Sequence, residues 1–201
     1  MPVTGSDHIL ALAERQGLVR ADDLRAVGLS SQLLLKLYQA GRLERVARGV
    51  YSLPGHMPSE HRSLAQAAVR VPKGVVCLLS ALQWHQLGTQ LPNEVWLAVP
   101  PGTATPKPGH PPLRIVRFSG ASHAQGVEVA RVEGVELRVY GVAKTLCDCF
   151  KLRNKVGLDV ALEALKQAWR EQRFTMDELF HFARIDRVEK VMRPYVEALV
   201  A

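Results

Sequence analysis

Residues 21–53, ADDLRAVGLSSQLLLKLYQAGRLERVARGVYSL, constrain the fold more than any other stretch, because two short helical patterns meet there across a glycine and run into a basic hairpin pattern. Asp22 and Asp23 suit the positive end of a helix dipole, and Leu24 and Val27 give that first helix an apolar side. Gly28 stands where a left-handed residue ends a helix, and Ser30 stands where an N-cap opens the next one. In the second helix Leu33, Leu34 and Leu37 face inward, while Ser31, Gln32, Leu35, Lys36 and Gln39 share the opposite side. Gly41 ends it. Leu43, Val46, Val50 and Leu53 then alternate with polar residues across a turn at Arg48-Gly49, the pattern of a two-stranded wing. An earlier helix over about Asp7–Gln16, with Ile9, Leu12 and Ala13 on one face and Gly17 at its end, completes a three-helix core.

The pattern over residues 1–54 is that of a winged helix-turn-helix, whose turn carries a glycine for the same steric reason. Double-stranded DNA is the partner it implies. Ser31, Gln32, Lys36 and Gln39 are then expected to reach the major groove, where glutamine pairs bidentately with adenine, and Arg42, Arg45 and Arg48 to face phosphates from the hairpin. The same residues also suit a solvated helix face beside an ordinary basic hairpin, and the pattern alone leaves both readings open. Charge fits the first: the chain carries 26 Lys and Arg against 19 Asp and Glu, a net +7, with an isoelectric point near 9.6. That excess favours a polyanionic partner over an acidic one. Within residues 1–54 the basic surplus is concentrated at 36–48.

The stretch Leu53-Pro54-Gly55-His56-Met57-Pro58 breaks both periodicities and is expected to be a linker, so that residues 59–201 form a second domain. Its pattern is mixed α/β, and the whole chain is read as α+β with a helical C-terminal portion. A helix over Glu60–Arg70 is followed by an apolar segment Val75–Leu79, a short helix around Ser80–Gln86 capped by Ser80, and strands at Glu94–Val99 and Leu113–Phe118. The proline-rich Pro100–Pro112 between those strands reads as a solvated connector. Val127–Val132 and Val135–Tyr140 make a hairpin across Glu133-Gly134, with Val135, Leu137 and Val139 on one face and Glu136, Arg138 and Tyr140 on the other. Four helices complete the chain, over about Ala143–Leu152, Leu158–Glu171, Met176–Ile185 and Val188–Val200, with Thr175 and Asp177 as start signals and Pro194 as a kink or restart.

Within this frame the sequence resembles the AbiEi-type antitoxins, which are also the transcriptional repressors of bicistronic type IV toxin–antitoxin systems. The resemblance rests on RLERVARGVYSLPG at 42–55, LLSALQWHQLGTQLPNEVWLAVP at 78–100 and, most specifically, YGVAKTLCDCFKLRNKVGLDVALEALKQ at 140–167. It implies an N-terminal winged helix that binds the operon's own promoter and a larger C-terminal domain that counters a nucleotidyltransferase-like toxin. A protein-interaction antitoxin without DNA affinity is the alternative it leaves. The residues themselves carry no catalytic, cofactor or metal-binding motif, so no enzymatic activity, cofactor or metal is expected, with an enzyme built on the C-terminal domain as a minor option.

The 140–167 block also has a reading of its own. Lys144, Lys151, Arg153 and Lys155 form the densest positive cluster outside the hairpin, either a second phosphate-contacting patch or a solvated helix end with cations placed at its negative dipole. Lys144, Asp148 and Lys151 share a helix face, so the carboxylate can pair with either lysine. Cys77, Cys147 and Cys149 are too few and too irregular for a disulfide framework and read as buried thiols in a reducing, cytoplasmic setting. Asp7 and Glu14 with no following apolar run predict no signal peptide, and Val75–Leu82 is too short to cross a bilayer. His61, His85 and His123 have no metal-ligand spacing, and Gly120-Ala121-Ser122-His123-Ala124, a flexible stretch on this reading, lacks the second glycine of a nucleophile elbow. Trp84 and Trp96 sit in apolar contexts and read as core.

Overall fold

A computed structural model describes residues 4–55 and 59–200, and the linker positions His56, Met57 and Pro58 lie outside the described residues. The chain is mixed α/β and divides into two units. One takes residues up to Gln66 together with Arg131–Glu136, the other Ala67–Ala130 and the chain from Leu137 onward.

The first unit opens with α1 (Gly5–Gln16), whose start is fixed by a reciprocal cap. The Asp7 amide donates to Thr4 Oγ1 at 3.2 Å, and the Thr4 amide donates to Asp7 Oδ2 at 3.1 Å. β1 (Val19–Arg20), α2 (Ala21–Ala26), α3 (Gln32–Gln39), β2 (Glu44–Ala47) and β3 (Val50–Ser52) follow. Gly28, at φ 72°, makes the left-handed turn between α2 and α3. The helix actually enters at Ser31, but Ser30 Oγ still accepts the Gln32 amide at 3.3 Å, as expected of a capping hydroxyl. Ile9, Leu12, Ala13, Val19, Leu24, Leu34, Leu37, Leu43 and Tyr51 form one buried core.

The sheet of this unit corrects the two-stranded hairpin expected above. It is three-stranded and antiparallel in the order β1-β3-β2, with Val19 opposite Tyr51 and Arg20 opposite Val50. β3 is therefore central, and Val50, Tyr51 and Ser52 are all buried where alternation was expected. β2 is left as an edge strand, with an irregularity in its register between Arg45 and Ala47.

α4 (Arg62–Arg70) leads from the first unit into the second, which holds β4 (Val75–Val76), α5 (Leu78–Trp84), β5 (Val95–Val99), β6 (Leu113–Arg117), α6 (Ala121–Ala124), β7 (Val127–Val132), β8 (Val135–Tyr140), α7 (Val142–Lys151), α8 (Arg153–Val156), α9 (Leu158–Arg170), α10 (Met176–Ile185) and α11 (Glu189–Val200). The tip of the β7–β8 hairpin is grouped with the first unit, where Glu133 accepts bonds from the Ser59 amide at 2.8 Å and Arg62 Nε at 3.2 Å. The five-stranded sheet runs β6-β5-β4-β8-β7. β5 has a partner on each side and is buried over its whole length, so its sequence VWLAV needs no polar alternation. β5 and β6 are parallel, which obliges the chain between them to travel back along the sheet. Pro100–Pro112 is that crossover, mostly exposed as a solvated connector is, and Arg70 ties it down by donating to the carbonyls of Pro111 at 2.5 Å and Lys107 at 2.8 Å.

Three local expectations change for a common reason, the satisfaction of buried polar groups. α5 begins at Leu78, two residues before Ser80, and the buried Ser80 hydroxyl instead accepts the Trp96 amide at 3.0 Å at the start of β5. Gly120–Ala124 is not a flexible stretch, because α6 forms there and buries Ser122. Tyr140 departs from the exposed side of β8 and is fully buried, its hydroxyl donating to the His123 carbonyl at 2.8 Å. The core of the unit is built around α7, in which Val142 through Phe150 are all buried, and includes Leu78, Leu82, Trp96, Leu146, Phe150, Ala161, Leu165, Leu179 and Met192. Cys77, Cys147 and Cys149 are free, buried thiols, and burial raises each above the usual thiol value. Thr175 and Glu178 cap α10 reciprocally, and Pro194 lies inside α11. Among the described residues no helix is long and apolar enough to cross a membrane.

Candidate functional site

The surface of interest is built on α3 and the hairpin that follows it. Leu34 and Leu37 anchor α3 in the core, and this fixes which side of the helix remains outside. Gln32, Lys36 and Gln39, at spacings of four and three, all lie on that outer side and are exposed, as is Ser31 at the helix entrance. Arg42 follows in the turn after α3, Arg45 lies on the edge strand β2, and Arg48 sits in the β2–β3 turn beside Gly49, at φ 76°. All three are exposed. The irregularity at Val46 marks β2 as a bulged edge, and an edge strand of this kind leaves backbone donors and acceptors free.

Pairing within the unit decides the electrostatics. Asp23 is taken by Arg20 and Asp22 by Arg25, each at 2.9 Å, so the acids of α2 neutralise the neighbouring arginines. Among the described residues no carboxylate pairs with Lys36, Arg42, Arg45 or Arg48, and Arg45 Nε makes only a long 3.4 Å bond to the Ala47 carbonyl. Asp7 is held below the usual carboxylate value, first by its bonds from Thr4 and to a lesser degree by Arg42. Four cations on one helix and the hairpin beyond it thus stand outside any ion pair among the described residues.

The second basic cluster does not assemble on a surface. Lys144 is fully buried and cannot meet a phosphate; its Nζ donates to Asp148 Oδ1 at 2.5 Å and to Asp186 Oδ2 at 3.1 Å, and it lies 4.6 Å from the Tyr140 ring centroid and 4.9 Å from that of Phe118. Lys151 does not share Asp148 with it, as the helical spacing allowed, but turns to Asp186 Oδ1 at 3.0 Å and Ser122 Oγ at 2.9 Å. Arg153 is half-buried and donates to the Phe150 carbonyl, leaving Lys155 as the one exposed member of the four. Lys151 and Lys155 line a cleft of about 470 Å³ together with Arg117, Phe118 and Ser119.

The two buried aspartates respond in opposite directions. Burial pushes the Asp148 carboxyl well above its usual range against the pull of Lys144, and its Oδ2 has no hydrogen-bond partner among the described residues. Burial also works on Asp186, but Lys144, Ser122 and Lys151 outweigh it and hold that carboxyl below its usual value. Asp186 has three donors, Lys144, Lys151 and Ser122, where Asp148 has Lys144 alone, and the neighbouring Asp186 adds to the rise at Asp148. Asp186 and Ser122 were not anticipated as partners of these lysines, and a separation of 42 residues between Lys144 and Asp186 carries no helical or strand signal.

The histidines occupy structural positions. His85 is buried with Nε2 2.7 Å from the Tyr140 carbonyl, which a neutral ring satisfies by donating a proton. Burial lowers His85 below the usual imidazole value, with Arg173 adding to the effect and the Tyr140 bond and Glu128 opposing it; burial and Arg138 lower His123 likewise. The unfolded chain therefore binds protons at these rings before the folded chain does, so stability should fall as pH drops through about 6.5. Thermal melts across that interval check this, with His85→Gln expected to flatten the acid side. His61 lies 3.4 Å from Glu60. Among the described residues no cluster of His, Cys, Asp or Glu is arranged to hold a metal ion. Trp96 is core, with the Arg114 guanidinium 4.9 Å above its ring, while Trp84 is half-buried.

A mixed α/β chain whose N-terminal unit presents an unpaired cationic helix and hairpin is the class these features define. Residues 7–54 match the family model described as "Transcriptional regulator, AbiEi antitoxin". Among solved structures the chain is similar to the RV2827C protein from Mycobacterium tuberculosis, at 15% identity and a TM-score of 0.56, with 91% of this chain and 72% of that one covered. That likeness concerns the fold. No curated protein matches the chain by sequence.

Proposed function

We propose that this protein is a DNA-binding transcriptional repressor that also serves as the antitoxin of a two-gene toxin–antitoxin operon, acting in the cytoplasm and without a catalytic step of its own. On this reading residues 1–54 are a winged helix-turn-helix, with α3 entering the major groove and the β2–β3 hairpin as the wing. Residues 59–201 then form the domain that counters a nucleotidyltransferase-like toxin. The observation that carries the reading is the set of four cations, Lys36, Arg42, Arg45 and Arg48, left exposed and unpaired beside the polar face of α3 in a segment that matches the antitoxin-regulator family model. Phosphates are the partner that such a surface neutralises, with release of condensed counterions.

The test is a gel shift of the full chain on the DNA upstream of its own gene, repeated at increasing salt. A shift that weakens steeply with salt is the expected result. No shift at low salt would leave the protein-interaction reading, in which the chain relieves toxicity of the adjacent gene product without touching the promoter. Co-expression with that gene product separates the two roles, because substitutions on α3 and the hairpin should abolish repression and leave relief of toxicity intact.

A further inference from the structure

One side chain on the outer face of α3 does not fit a purely electrostatic surface. Leu35 is 50% exposed, in the middle of an eight-residue helix that otherwise sends its leucines inward. At about 100° per residue, Leu35, Gln39, Gln32 and Lys36 fall in that order within an arc of about 100°, so the leucine stands at one edge of the arc beside the groove-facing amides. Leaving a leucine in water forgoes the stabilisation that burial would supply, and the described residues leave half of this one uncovered.

The major groove offers one apolar group, the C5 methyl of thymine, and the adenine paired with it offers the N6 donor and N7 acceptor that a glutamine amide matches. We propose that Leu35 is a base-reading residue that packs against thymine methyl groups, with Gln32 and Gln39 reading adenine beside it, so that the half-site under α3 is composed of A·T pairs. This rests on the DNA-binding reading above. Lys36, at the edge of the arc, serves the flanking phosphate or a bordering guanine. The exposed α3 face carries no arginine, the side chain most often used for guanine, which is consistent with an A·T core.

Uracil in place of thymine removes only the methyl, which makes the test direct. The full chain is titrated onto its upstream DNA prepared with thymine and with uracil, alongside Leu35→Ala and Gln32→Ala. The unsubstituted protein should bind the thymine duplex about three- to fivefold more tightly than the uracil duplex, the scale of one buried methyl contact. Leu35→Ala should lose that preference, while Gln32→Ala should weaken both duplexes at least fivefold and keep it. Leu35 is outside the core, so the variant's circular dichroism and melting point should match those of the parent. Equal binding of the two duplexes by the parent, or a thymine preference that survives Leu35→Ala, would overturn the inference while leaving DNA binding in place. Absence of any shift at low salt would overturn the DNA reading and this inference together.

Discussion

Lys144→Met is expected to destabilise the second unit by about 3–5 kcal/mol, enough to lower its melting temperature by roughly 10 °C. The lysine is fully buried and holds Asp148 and Asp186 in one network, while Phe118 and Tyr140 present ring faces to the same ammonium. Methionine keeps most of the volume but leaves carboxylates without their cation, and an uncompensated buried charge costs far more than the pair contributed. The deficit should shrink at low pH, because orphaned buried carboxylates have raised pKa values and the folded form then gains protons the unfolded chain holds less readily. Adding Asp148→Asn should recover a good part of the loss, since Asp186 would still have Lys151 and Ser122. Chemical denaturation of the three proteins at two pH values checks each point, and a single variant as stable as the parent would refute the account.

Replacing Arg45 and Arg48 together with alanine is expected to cost roughly one order of magnitude in DNA affinity per residue near 0.1 M salt and to reduce the slope of log K against log salt by about 1.8. Both are exposed, and neither shares in the buried core, so stability should be unchanged. The diagnostic quantity is the slope. A variant that lost affinity with the parent's salt dependence would have lost shape, not phosphate contacts. Arg20 and Arg25 make useful controls, since Asp23 and Asp22 already neutralise them and their removal should move the slope little.

Elements whose cause is local were legible in the sequence. The periodicity of α3, the alternating apolar residues of the β7–β8 hairpin across Glu133-Gly134 and the Thr175 start of α10 all have their reasons within a few residues, and each stands where its pattern put it. The surface residues of α3 and the hairpin were legible for the same reason, because an amphipathic helix declares its outer side. What escaped depends on partners distant in the chain. β1 is two residues long and exists only because Tyr51 and Val50 pair with it, so neither length nor composition marks it. Ser80 suited an N-cap locally but serves the Trp96 amide, and Lys144 suited a helix surface but answers to Asp186 across the core. In each case a tertiary contact overrode a plausible local role.

All the thiols of the chain lie between residues 77 and 149, on the second unit, and all are sealed in its core. The protein therefore carries an internal reporter with a built-in blank: an alkylating reagent reads the opening of one unit only, while the N-terminal unit stays silent. Comparing alkylation rates with and without promoter DNA would show whether occupancy at one end of the chain is felt at the other, without adding a label or changing a residue.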